Sequence, residues 1–116
     1  MHFLCLVHVD SEREAAMTPA ERAQFDADNQ AYADWLFATG HVPMGGALHE
    51  PPTARLIRER SGRLSMTDGP YVETKEHVAG FIVIVADSLE AATEIVARSP
   101  VARIGTMEIR QMKYRA

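Results

Sequence analysis

The chain has 116 residues, of which 47% are hydrophobic and 24% charged. That balance belongs to a folded domain rather than to disorder, and the length holds a single domain, residues 1–116, with no room for a second core. A formal net charge of −4 speaks against nucleic acid as a partner, because phosphate neutralisation needs clustered Lys and Arg.

The N-terminal run Phe3 to Val9 is apolar and β-branched and is closed by Asp10, Ser11 and Glu12, which reads as a buried first strand. It is too short for a membrane span or a signal peptide. Cys5, the single cysteine, can form no internal disulfide and reads as a small core hydrophobe. A cytoplasmic protein with no membrane partner is the expectation. After an acidic linker, Thr18 caps a helix with Pro19 at its first position and Glu21 completing a capping box. Phe25, Tyr32 and Leu36 form the stripe that lies on a sheet, and Gly40 stops the helix. Asn29 falls on the same stripe, a polar interruption able to look into a pocket.

Val42, Met44 and Leu48 alternate around Gly45 and Gly46, so residues 41–48 read as a strand with a bulge or a close backbone approach. Residues 53–59, the turn Arg60-Ser61-Gly62-Arg63 and residues 64–67 form a hairpin. Gly80 to Ala86 is the strongest strand in the chain and reads as central. Asp87-Ser88-Leu89-Glu90 offers a second capping box for a short helix that ends at Ser99-Pro100, and residues 106–112 alternate as a last, half-exposed strand. The fold class is therefore α+β, in the order β-α-β-(hairpin)-β-α-β, with two helices on one face of a mainly antiparallel sheet. The other face would expose an apolar patch on a lone chain, so a homodimer is expected through it.

The most distinctive segment is Asp68-Gly69-Pro70-Tyr71-Val72-Glu73-Thr74-Lys75-Glu76, followed by Gly80. By residue type it is a turn, since Asp bonds its own backbone and Pro fixes the exit. The charged run beside the best strand also makes it a place for a polar site. It resembles the signature of the DGPF branch of the YCII-related family, with Tyr71 where that family has phenylalanine. The likeness extends to the Thr-Pro-Ala-Glu-Arg helix start, Trp35-Leu36, Gly40-His41, Gly45-Gly46-Ala47-Leu48 and Glu108-Ile109-Arg110. The resemblance implies a ferredoxin-like fold pairing into a dimeric α/β barrel.

No metal site is expected, because His2, His8, His41, His49 and His77 lack a ligand spacing. No cofactor is expected either, since the chain carries no phosphate-binding or dinucleotide fingerprint. His8 interrupts an apolar strand and needs a partner if buried. A histidine titrates near neutral pH and works as a base when a carboxylate fixes its tautomer. The wider family implies a His-Asp pair, which here would be His8 with Asp68. The ligand-binding candidates are Arg55, Tyr71, Glu73, Lys75 and Glu76, with Lys75 or Arg55 holding an anionic group. Two functions follow. One is an enzyme of small-molecule metabolism using the His-Asp pair. The other is a non-catalytic binding or regulatory module, which the family resemblance links to extracytoplasmic-function sigma factors.

Overall fold

A computed structural model describes residues 1–113. Strand β1 (His2–Asp10) leads through a short helix α1 (Ser11–Ala15) into the long helix α2 (Pro19–Ala38). Strand β2 (Met44–Ala47), the hairpin β3 (Arg55–Arg60) and β4 (Arg63–Asp68), strand β5 (Glu76–Val85), helix α3 (Leu89–Val96) and strand β6 (Gly105–Gln111) follow. The body sheet has the order β2-β5-β1-β6 with antiparallel neighbours throughout. This is the α+β class expected, with the two outer strands reached by helical crossovers. The hairpin forms a separate two-stranded sheet.

Each helix start has a chemical cause. Thr18 accepts from the Glu21 backbone N–H while the Glu21 carboxylate accepts from the Thr18 N–H, the full reciprocal box, and that bonding holds the Glu21 pKa below its ordinary value. Helix α3 differs from expectation by one residue: its cap is Ser88, which accepts from Ala91 N–H, so Asp87 and Glu90 form no box. Helix α1 falls where the sequence reads as an acidic linker. It exists because the Asp10 carboxylate accepts from the N–H groups of Glu12 and Arg13, satisfying donors a helix start leaves free.

Alternation along β1 and β5 sorts their side chains cleanly. Phe3, Cys5, Ile82 and Ile84 pack with Leu36 of α2 and with Ala92 and Val96 of α3. Leu4, Leu6, Phe81 and Val83 point to the opposite face, which no helix covers, and lie across from one another in register. In the hairpin turn Ser61 and Gly62 both take positive φ, 52° and 74°, the primed geometry that matches strand twist. No helix of the described residues is long and apolar enough to cross a membrane.

Candidate functional site

The uncovered sheet face carries the first candidate. His8 sits near the end of β1, and its Nε2 lies 2.8 Å from Glu108 Oε1 on β6. An ionised carboxylate only accepts, so in the neutral form of the ring this bond places the proton on Nε2 and leaves Nδ1 as the acceptor. In register His8 faces Thr106 and Leu6 faces Glu108, which makes the contact a diagonal across two strands. Beside them Glu76 accepts from the Thr106 hydroxyl at 2.8 Å. His8, Tyr71, Lys75 and Glu76 border one cavity of about 990 Å³, roofed by Leu56 and Pro70 of the hairpin region.

The expected pairing of His8 with Asp68 does not form. Asp68 ends β4 and accepts from Arg55 Nε at 3.0 Å, with both side chains exposed. The reason is topological: β4 pairs only with β3, whereas β6 lies directly beside β1 and brings its own carboxylate. Arg55 and Asp68 therefore lie outside this cavity. Glu73 borders a different cleft of about 540 Å³ together with Ser11 and His77. The Tyr71 ring is exposed and carries the Arg58 guanidinium 5.6 Å from its centroid.

Lys75 is held by acids of the chain itself. Its Nζ lies 3.7 Å from Asp10 Oδ2 and 3.5 Å from Glu12 Oε2. The Ser11 N–H donates to the Lys75 carbonyl, Ser11 Oγ meets His77 Nδ1 at 3.0 Å, and the Thr74 hydroxyl donates to the Glu76 carbonyl. The charged signature run is thus stitched to the corner between β1 and α1. Lys75 and Arg55, the two cations expected to hold an anion, each already pair with acids of the chain, Lys75 with Asp10 and Glu12 and Arg55 with Asp68.

A second cavity, of about 450 Å³, lies on the helix side between α2 and the sheet. Phe25, Asn29, Tyr32 and Leu36 of α2 form one wall, and Gly45, Ala47 and Gly80 form much of the floor. The floor is low because small residues occupy it. A Cβ at Gly80 would stand 2.8 Å from the Gly46 carbonyl oxygen, closer than real side chains approach, so the two backbones touch where β2 joins β5. Half-buried Asn29 brings an amide donor and acceptor to a largely apolar wall. At the rim Arg22 bridges Glu14 at 3.1 Å and Asp26 at 3.2 Å. Sequence reasoning singled out Asn29 and the Gly45-Gly46 pair but missed the cavity they share. The signal was there in the coincidence of a polar residue on a helical stripe with glycines on the strand beneath it.

Burial sets the chemistry of the nearby core. The Tyr32 hydroxyl donates to the Ile95 carbonyl at 2.9 Å, and its pKa is pushed up to about 12 by burial and then by Cys5. Among the described residues no three His, Cys, Asp or Glu side chains converge as a metal site.

Comparison with known proteins places this architecture. The chain is similar to the solved structure of 5-chloro-2-hydroxyhydroquinone dehydrochlorinase (TftG) from Burkholderia phenoliruptrix AC1100, in complex with 2,5-dihydroxybenzoquinone. The TM-score is 0.55 at 16% identity, over 98% of this chain and 95% of that one, which supports a shared fold. A search of curated protein sequences finds no match. The model of the YCII-related domain matches residues 1–114, nearly the full length over which the signature run, the capped helix and the paired glycines are spread, and the chain therefore belongs to the YCII-related family.

Proposed function

We propose that this protein binds a compact, ring-bearing small molecule in the cleft between α2 and the sheet, with Asn29 as its polar anchor. The observation that carries the reading is the combination of a cavity of about 450 Å³ with a single amide on its helical wall. Such a site has the composition of small-molecule pockets, mostly apolar with few placed polar groups. The similar dehydrochlorinase is bound to a dihydroxylated ring, which supports a ligand of that size class. We also infer that the chain works as a homodimer through the uncovered sheet face, since Leu4, Leu6, Phe81 and Val83 would otherwise form an apolar patch in water.

The test is a thermal-shift screen of hydroxylated benzenes, quinones and aromatic acids. A ligand at a hundred times its Kd stabilises by about 2.7 kcal/mol, which raises Tm by several degrees in a domain this size. At least one ring compound should shift the wild type, and Asn29→Leu, which keeps the volume and removes the amide, should lose the shift. A panel without hits, or a hit indifferent to Asn29→Leu, overturns the reading.

A second reading is catalysis in the open-face cavity, favoured by the 2.8 Å bond between His8 and Glu108. A carboxylate that fixes the tautomer of a histidine prepares the other nitrogen to take a proton. Turnover of a screened compound, followed by NMR and abolished in His8→Gln, separates this from a binding or regulatory role, including one tied to an extracytoplasmic-function sigma factor.

A further inference from the structure

We propose that the hairpin β3–β4 is an arm that lies on a second copy of this chain, its apolar face against that copy's uncovered sheet face. This rests on the pairing through that face proposed above and adds the segment that crosses between copies. The register Ile57↔Met66 and Glu59↔Leu64 puts Ile57, Leu64 and Met66 on one side of the ribbon, 63%, 62% and 60% exposed, with Glu59 and the Arg55–Asp68 ion pair at the edges of the same side. Arg58, Arg60 and Arg63 occupy the other side. A two-stranded ribbon alone is marginally stable in water, and among the described residues this one leaves its apolar side chains exposed.

Charge and shape indicate what covers it. Arg55, Arg58, Arg60 and Arg63 against Glu59 and Asp68 give the hairpin +2; with −4 for the whole chain, the remainder carries −6. A basic arm and an acidic body attract each other between copies, which speeds association and favours self-pairing. The radius of gyration is 16.2 Å, where about 13 Å is usual for this length. The chain exposes 8305 Å², while a compact monomer of 12.9 kDa exposes about 6,300 Å². The surplus of roughly 2,000 Å² is what one copy would hide in a large interface, more than the ~800 Å² per partner of a standard one. A two-fold arrangement lets each arm lie on the other copy, so the contact closes on itself.

Sedimentation and light scattering of the full chain test this across a concentration series. The wild type should be dimeric at micromolar concentration. Ile57→Glu with Met66→Glu should raise the dimer Kd about tenfold or more, with the far-ultraviolet spectrum of the body unchanged. Arg60→Glu with Arg63→Glu should weaken the dimer at low salt and less at high salt. If the Ile57/Met66 variant dimerises as the wild type does while Val83→Glu dissociates, the arm fails and the pairing of sheet faces stands. If the wild type is monomeric throughout, both fail. Should the double variant not fold, a photo-crosslinker at position 57 replaces it, read in a mixture of isotopically light and heavy chains. Light-to-heavy crosslinks to peptides of β1 or β5 support the arm, and crosslinks confined to one chain overturn it.

Discussion

Cys5 shows how far burial controls a single side chain here. It is fully buried, and its thiol is pushed up to about 11, first by burial and then by the charge of Glu108. In the unfolded chain the thiol ionises near its ordinary value, while in the fold it stays protonated. A raised folded pKa leaves stability intact below the ordinary value and removes it as pH climbs toward the folded one. The urea midpoint should therefore fall between pH 9 and 11, and native Cys5 should resist iodoacetamide at pH 8 while the urea-unfolded chain reacts. Rapid alkylation of the native protein would show that β1 is not packed as described. At this scale the sequence revealed needs better than partners. That His8 requires a companion follows from a polar ring in an apolar strand. That the companion is Glu108 follows only from β6 lying beside β1, a strand order no local pattern encodes. Thr18 was legible because one residue fitted the cap. At Asp87-Ser88 two did, and the bond from Ala91 N–H decided for Ser88.

Among the elements, the central strands carry the core. Ile84 is 0% exposed, whereas Val83 points to the uncovered face and faces Leu4 in register. Ile84→Ala should cost about 2–4 kcal/mol through the cavity it leaves, and Val83→Ala should cost less than about 1 kcal/mol in a monomer, where little is lost beyond partial burial. Urea unfolding of both variants at a concentration where light scattering shows a monomer checks this; equal losses would mean that the two faces are covered alike. The strands, the hairpin and the long helix were legible because period and turn chemistry agree in each. Helix α1 was not, since five charged and small residues carry no stripe and only the Asp10 cap makes them helical. Strand β5 starts at Glu76 rather than near Gly80, because pairing with β1 extends it into the charged run that reads locally as loop.

For the whole molecule, the slab of 47 × 39 × 18 Å is one sheet and one helical layer thick, and among the described residues Leu4, Leu6, Phe81 and Val83 on the open sheet face are only partly buried. If a second copy covers them, stability is shared between copies and follows mass action. The Tm should rise with protein concentration by a few degrees over two decades, measured by calorimetry. A Tm independent of concentration would mean that the chain is stable alone. The class of fold was readable at this scale from the order of elements. The cavity under α2 was not, because it arises where a helix stands off from glycines far along the chain, and distance between elements has no signature in either.

The strand order also governs when the structure can be assembled. Strand β1 lies between β5 and β6, with Phe3 opposite both Ile84 and Gln111. During synthesis β1 leaves the ribosome long before β5 and β6, so it must wait for both neighbours to be made. Local contacts in α2 and the β3–β4 hairpin can form early, but the body closes only through pairings between distant segments, which are slow to find. Until then β1 is an apolar strand with two open edges, the segment most in need of a chaperone's shelter while the protein is made.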